Sequence, residues 1–185
     1  KTNNEILRKY SLNKNDKYVL FLFAKKCFTV YYSECDLLNV YSHLRKLNYK
    51  IIVKTRPKDD INNKELKGDI YISSDIYPSE TLELMKISSL CIISSSSAIE
   101  ETIMSEIPCI DLISDPKPWQ NKFLINPKVY CRIDNWKNIT LNELENKINS
   151  LKVKNDKYYS KLKNKYIFTH KNSAIQYLNF IEKIK

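Results

Sequence analysis

Short apolar runs alternate along this chain with stretches in which apolar residues recur every three or four positions. The longest run, YVLFLFA at residues 18–24, is typical of a parallel strand covered on both faces. Residues 33–47 show helical spacing instead, with Ser33 as a candidate N-cap. Strands alternating with helices predict right-handed crossovers and a parallel sheet. We therefore expect an α/β fold, a three-layer Rossmann-like sandwich whose parallel sheet has about six strands.

The same patterns place the remaining elements. Five more short apolar runs predict strands at residues 51–55, 70–73, 90–93, 109–113 and 129–133. Helical spacing predicts helices at residues 3–10, 78–88, 98–106, 141–151, 158–168 and 171–184. The helix at 78–88 carries an apolar stripe, which we assign to core packing: Leu82, Leu84, Met85 and Ile87.

Length and composition indicate one globular domain. The chain has 185 residues, of which 43% are hydrophobic, so residues 1–185 are expected to fold as a single unit. Because the sequence begins at Lys1 rather than Met, we expect it to be part of a longer protein. No stretch resembles a signal peptide, and no apolar run approaches the roughly 18 residues of a membrane-spanning helix.

The chain is strongly basic. Its 31 Lys and Arg residues against 21 Asp and Glu residues give a formal net charge of +10. That charge suits phosphorylated ligands, nucleic acid or an anionic membrane surface, and a general bias toward Lys and Asn explains it equally well. There is no arginine-rich block and no interleaved basic and aromatic motif, so no specific nucleic-acid partner is predicted.

Cysteine and glycine usage narrows the class of protein. The five cysteines contain no CxxC pair, which indicates reduced thiols in the cytoplasm and neither a disulfide framework nor a zinc site; they are Cys27, Cys35, Cys91, Cys109 and Cys131. Gly68 is the only glycine. A P-loop and a GxGxxG fingerprint are therefore excluded.

The stretch LCIISSSSAIEETIMSEIP, residues 90–108, carries the clearest candidate chemistry. A predicted strand runs into four serines, Ser94, Ser95, Ser96 and Ser97, and then into a helix. At such a turn, backbone N–H groups and serine hydroxyls are available to an anion. Glu101 follows within about one helical turn, within reach of sugar hydroxyls. We interpret the stretch as a phosphate-and-ribose site, although a serine N-cap and an acid that complements the helix dipole explain the pattern without a ligand.

Cations follow two other predicted strands. Lys25 and Lys26 come directly after the first strand, and Arg56 follows the second. The carboxyl ends of parallel strands share one edge of the sheet, so these side chains either contact a phosphate there or are simply solvated. Asp111 and Asp115 are candidates for an acceptor or metal site, but no cluster of metal ligands accompanies them.

These residues resemble the C-terminal, donor-binding half of GT-B glycosyltransferases and their relatives. In non-hydrolysing UDP-N-acetylglucosamine 2-epimerases, the strand-turn-helix carries a DSGGxQEE pattern followed by GKP. SSSSAIEE at residues 94–101 is similar to the first motif, and EIP at 106–108 to the second. The match implies that Ser95 holds a phosphate and Glu101 the ribose hydroxyls. Serines replace the family's glycines, which narrows the approach to a pyrophosphate, and the epimerases' RDTTERPE segment is absent.

The chain also resembles CDP-glycerol glycerophosphotransferases of teichoic-acid and capsule assembly. Those enzymes carry a strand ending KPHP, an ELL-type helix, an SS turn and a late GKASERI helix. Here the similar segments are residues 54–57 (KTRP), 81–84, 95–97 and 171–175. Arg56 occupies the place of the family's histidine, which keeps a cation for phosphate but removes a group that titrates near neutrality.

The resemblance implies a nucleotide-binding domain of a transferase in surface-glycan synthesis. The expected donor is a substrate such as a UDP-sugar or CDP-glycerol, with no separate cofactor and no metal. The expected acceptor is a glycan or lipid-linked molecule at the inner face of the membrane, and the catalytic base would come from an N-terminal domain outside this chain. Two alternatives stay open: an epimerase-like domain, and a non-catalytic basic module that binds anions.

Overall fold

The described helices and strands follow the order that the sequence predicts. The computed structural model describes residues 1–22, 34–59, 61–76, 79–94, 98–113, 127–134, 136–151, 159–161 and 163. In chain order the elements are α1 (Asn3–Lys9), β1 (Lys17–Leu22), α2 (Glu34–Lys46), β2 (Tyr49–Thr55), β3 (Ile70–Ser73), α3 (Ser79–Ile87), β4 (Leu90–Ile93), α4 (Ile99–Met104), β5 (Cys109–Leu112), β6 (Tyr130–Ile133) and α5 (Leu141–Ser150).

One sheet contains all six strands in the order β3-β2-β1-β4-β5-β6, and each neighbouring pair is parallel. The predicted Rossmann-like α/β fold is therefore confirmed. From β1 the chain moves outward through α2 to β2 and then to β3. It returns through α3 to β4, on the other side of β1, and continues in the opposite direction to β5 and β6. The direction of strand addition thus reverses between β1 and β4.

Side-chain alternation along the strands supplies two cores. Val19 and Phe21 of β1 point to the face covered by α2 and α5, which we call the first face. Tyr18 and Leu20 point to the face covered by α1, α3 and α4, the second face. Since both faces are covered, β1 is buried from Tyr18 to Phe21, which explains its uninterrupted apolar sequence.

Local signals fix several element ends. Thr2 and Glu5 form a capping box at the start of α1, and Thr140 and Glu143 form another at the start of α5. The chain's only glycine, Gly68, has φ +68°, and a Cβ there would lie 2.9 Å from the carbonyl oxygen of Ile51. Glycine is required at that position because the backbone passes this close to β2.

Some predictions fall outside the described part of the chain. These are the helix at 171–184, most of the helix at 158–168, and the end of the first predicted strand. Among the described residues, every helix is too short or too polar to pass through a lipid bilayer.

Candidate functional site

The reversal of strand order defines the candidate site. β1 and β4 are direct neighbours, with Phe21 beside Ile92 in register. Since the connections that follow these two strands lead to opposite sides, a crevice is expected outside their carboxyl ends, and ligands of open α/β sheets bind at such switch points. The segment after β1 contains Lys25 and Lys26, and the segment after β4 contains Ser95 to Ser97. These five residues lie outside the described part of the chain, so their role as ligands stays a prediction.

Ser94 is the described member of the serine turn. It directly follows β4 and is only 3% exposed. Beyond the turn, Ala98 and Ile99 are also buried and pack into the core of the second face. Both ends of the turn are thus anchored to the sheet. In this structure the side chain of Ser94 does not line an open surface, so any direct contact with a ligand falls to the serines that follow.

Glu101 lies in the first turn of α4, on the second face of the sheet. One of its carboxylate oxygens is shielded from solvent. Burial raises the pKa of Glu101 above its usual value, although a hydrogen bond from its own backbone N–H acts in the opposite direction. A partly buried carboxylate is a good acceptor for sugar hydroxyls, because low local polarity strengthens each hydrogen bond.

Arg56 is exposed and directly follows β2, which is the neighbour of β1. Two strand spacings, about 10 Å, separate the lines of β2 and β4. The structure therefore brings Arg56 and the start of the serine turn to the same edge of the sheet.

A buried ionic cluster beside Arg56 was not predicted from the sequence. Lys54 is 6% exposed, and its Nζ donates hydrogen bonds to the carbonyl oxygen and to the Oγ of Ser74, each at 2.9 Å. Its Nζ also lies 3.7 Å from Oε2 of Glu80, which accepts a hydrogen bond from Ser74 Oγ. Lys9 of α1 contacts the other oxygen of Glu80 at 3.3 Å.

The charges of this ionic cluster stabilise one another. Burial lowers the pKa of Lys54, and the charge of Glu80 opposes that effect. Burial favours the neutral form of Glu80, but the hydrogen bond from Ser74 and the charges of Lys9 and Lys54 together bring its pKa below the usual value. Glu80 is therefore ionised at neutral pH. The sequence signal was weak, since Lys54 and Glu80 are 26 positions apart and meet only through packing.

Asp111 is a structural residue in this fold. It is fully buried in β5 and accepts a hydrogen bond from the hydroxyl of Tyr130 at 2.9 Å. The sequence interpretation of Asp111 as a candidate acceptor or metal residue does not fit a side chain with no exposure. Within the described residues, no group of three or more His, Cys, Asp or Glu side chains is arranged to hold a metal ion.

The helix α4 ends in a left-handed turn at Glu106. Glu106 stands where the related epimerases have the glycine of GKP, and its φ is +55°. The N–H groups of Glu106 and Ile107 donate to the carbonyl oxygens of Ile103 (3.2 Å) and Thr102 (3.0 Å), the pattern of a Schellman motif. Glycine is the residue that most easily adopts this left-handed conformation. In this chain Glu106 adopts it, and both hydrogen bonds of the turn are formed.

Comparison with known proteins gives similarity of structure without similarity of sequence. No protein-family model matches the sequence, and no curated protein matches it. The ADP-heptose LPS heptosyltransferase II of E. coli superposes with a TM-score of 0.62 at 11% identity, over 80% of this chain and 50% of that enzyme. A variant of the wall teichoic acid polymerase TagF gives 0.56 at 16% identity, over 98% of this chain and 46% of TagF.

A third solved structure belongs to a different enzyme class. The UDP-GlcNAc 2-epimerase of Methanocaldococcus jannaschii superposes with a TM-score of 0.52 at 16% identity, over 80% of this chain and 41% of the epimerase. The chain therefore spans half or less of the length of each of these three proteins. At such low identity the likeness shows the fold alone. At that level the predicted resemblance to GT-B enzymes is confirmed: the chain has a Rossmann-like domain of the kind found in these transferases and in the epimerase.

Proposed function

We propose that this chain binds the nucleotide of an activated donor and belongs to a GT-B-type transferase that acts in surface-glycan synthesis. The observation that carries the proposal is the switch point between β1 and β4. The two segments richest in candidate phosphate ligands follow these two strands; they contain Lys25 with Lys26, and Ser95 to Ser97. Arg56 follows the next strand at the same edge.

The proposed chemistry is electrostatic. Serine hydroxyls and backbone N–H groups of the turn would hold the phosphates, and Glu101 would accept hydrogen bonds from the ribose hydroxyls. Donors and cations fixed around the leaving phosphate stabilise the charge that develops there during transfer. The +10 net charge of the chain favours the approach of such an anionic donor.

The transferred group would be a sugar or a polyol phosphate, carried by a donor such as a UDP-sugar or CDP-glycerol and delivered to a glycan or lipid-linked acceptor. The chain spans about half of TagF and of the heptosyltransferase. We therefore place the catalytic base in a second, N-terminal domain. This chain alone is expected to bind the nucleotide and to turn over poorly.

Calorimetric titration of UDP, CDP and GDP into this chain tests the proposal. We expect saturable binding of at least one nucleotide, and a loss of about tenfold or more in affinity for the Ser95→Ala/Glu101→Ala double variant, because hydrogen bonds to phosphate and carboxylate groups are removed. The matched control is Ser42→Ala/Glu145→Ala, which removes one hydroxyl and one carboxylate at exposed positions on the first-face helices α2 and α5. Absence of binding, or equal affinity in both double variants, would refute the proposal.

The similarity to the UDP-GlcNAc 2-epimerase favours a second candidate function. An epimerase would convert UDP-N-acetylglucosamine without transfer to an acceptor, so product analysis of the full-length protein separates the two reactions. Weak, salt-sensitive binding of any polyanion without preference for a nucleotide would instead indicate a non-catalytic basic module.

A further inference from the structure

Lys54 and Arg56 lie two residues apart at the carboxyl end of β2, yet one is buried and the other exposed. Lys54 is 6% exposed, and its ammonium donates hydrogen bonds to three neighbouring oxygens. Arg56 is open to solvent at the edge where the proposed donor binds. The burial of a charge at this position is costly, and it persists only because the partners are fixed around it.

The ammonium of Lys54 joins three elements. Its bonds to Ser74 connect the end of β2 to the residue that follows β3. Ser74 in turn donates to Glu80, in the first turn of α3. The backbone pairing of β2 with β3 extends to Thr55 and Ser73, and the N–H of Ser74 donates to the carbonyl oxygen of Thr55 at 3.3 Å. Lys54 adds side-chain hydrogen bonds at the point where this pairing ends.

The same contacts fix the residue immediately before Arg56. The carbonyl oxygen of Thr55 accepts from Lys54 Nζ at 3.3 Å, and its Oγ1 lies 3.1 Å from the hydroxyl of Tyr71 on the first face. Thr55 is thus held from both faces of the sheet, so the direction in which the chain leaves β2 is set there. An arginine that starts from a fixed backbone loses less conformational freedom when it binds a phosphate.

We infer that Lys54 is a positioning residue for Arg56, and that together they prepare the carboxyl end of β2 to receive a phosphate of the donor. The inference rests on the proposed function. Lys54 itself touches no ligand in this scheme, since its three ammonium protons are used in two hydrogen bonds to Ser74 and one to Thr55. Arg56 makes the contact, and Lys54 acts through it.

A double-mutant cycle in nucleotide affinity tests the inference, with UDP and CDP as probes in calorimetry. We expect Lys54→Met to weaken binding by about fivefold in the wild-type background. In an Arg56→Ala background, Lys54→Met should have little further effect, because the residue it positions is gone. A general loss of structure would weaken binding by the same factor in both backgrounds, so the cycle separates the two roles.

Two further variants keep the test decisive. Lys9→Met removes the other cation on Glu80 but leaves the bonds between Lys54 and Ser74, and it should leave affinity unchanged. If Lys54→Met does not fold, judged by circular dichroism, Lys54→Met/Glu80→Leu removes both buried charges at once and should show the same dependence on Arg56. Equal losses in both backgrounds, or no loss in a folded variant, would overturn the inference. Failure of the wild-type chain to bind either nucleotide would instead refute the proposed function.

Discussion

The two faces of the sheet bury different kinds of side chain. On the first face, β1 and β2 pack apolar residues against α2 and α5, and the ring of Phe21 meets that of Tyr41 edge-on at 5.0 Å. Among the described residues, the second face buries three charged side chains, Lys54, Glu80 and Asp111, whereas the helices of the first face bury one, Asp36 of α2. Both faces belong to the same six strands, so sheet geometry does not explain the difference.

The buried charges of the second face lie toward the carboxyl ends of the strands. Lys54 is one residue from the end of β2, and Asp111 is one residue from the end of β5, opposite Ile93. Glu101 is on the helix that follows β4. Buried charges add little to stability compared with apolar residues of the same volume. We infer that the first face contributes most of the stability of the domain. The second face instead positions side chains at the carboxyl edge of the sheet, where the proposed donor binds.

A large-to-small substitution on the first face should have the largest effect on stability. Phe21 has no exposure and packs on Tyr41. We expect Phe21→Ala to lower the free energy of unfolding by about 3–5 kcal/mol, because it removes apolar contacts and leaves a cavity. Urea denaturation measures the change. Lys50→Ala, exposed on the adjacent strand, is the control and should change stability by less than about 0.5 kcal/mol. A loss below about 1 kcal/mol for Phe21→Ala would contradict the assigned role of this face.

The apolar half of this picture was predictable from the sequence. A strand covered on both faces has to be apolar at consecutive positions, so β1 and β4 stand out as continuous runs. The predicted start of the helix at residue 141 is confirmed, and Thr140 and Glu143 form a capping box there. The predicted core stripe of α3 is confirmed at Leu84 and Met85, which are buried.

The buried polar side chains of the second face could not be predicted in the same way, because their contacts depend on packing between elements that are distant in the sequence. A lysine in a strand and a glutamate in a later helix give no sign of pairing until α3 is laid across the ends of β2 and β3. Asp111 is a second residue whose partner could not be predicted from the local sequence. Its carboxylate suggested surface chemistry, whereas Tyr130 on the adjacent strand β6 satisfies it in the interior. The serine turn stood out because four hydroxyl residues after an apolar strand are uncommon, but its ligand contacts stay a prediction.

The charges of the second face should make stability depend on pH at the edge of α3. Lys1 and Lys9 contact Glu83 at 2.6 and 2.8 Å, and their hydrogen bonds lower the pKa of Glu83 to about 2. A carboxylate whose pKa is lowered by folding stabilises the folded state above its unfolded pKa, and that contribution disappears as the pH falls toward its folded pKa. We expect Glu83→Gln to cost about 1 kcal/mol at neutral pH, since these lysines are partly solvated.

The difference in stability between wild type and Glu83→Gln should shrink below 4.5, the ordinary pKa of a glutamate in the unfolded chain, and vanish near the folded pKa of about 2. Urea denaturation from neutral pH down to about pH 3 follows this difference over most of its range. Glu145→Gln, at an exposed position on α5, is the matched control and should show little change at any pH. A cost for Glu83→Gln that persists unchanged in acid would mean that the ion pairs with Lys1 and Lys9 contribute nothing.

The smallest expected effect lies at the end of α4, where a side chain occupies a position that suits glycine. Glu106 has φ +55°, and a left-handed backbone costs a residue with a Cβ about 1 kcal/mol. Its carboxylate lies 2.6 Å from Nζ of Lys163, and this partly exposed ion pair stabilises the folded state by less than about 1 kcal/mol. We therefore expect Glu106→Gly to be nearly neutral in the wild type. In a Lys163→Met background, where the ion pair is already lost, it should raise the free energy of unfolding by about 0.5 kcal/mol.

The residue before Glu106 supplies the control for this prediction. Ser105 has φ −82°, a right-handed helical value, so glycine relieves no strain there and Ser105→Gly should destabilise the domain by about 0.5–1 kcal/mol. Thermal unfolding of the single and double variants compares the two neighbours directly. Opposite signs at adjacent positions have only a backbone explanation, because glycine adds no contact at either one. If Glu106→Gly and Ser105→Gly destabilise equally in the Lys163→Met background, the left-handed turn at the end of α4 is not present in solution.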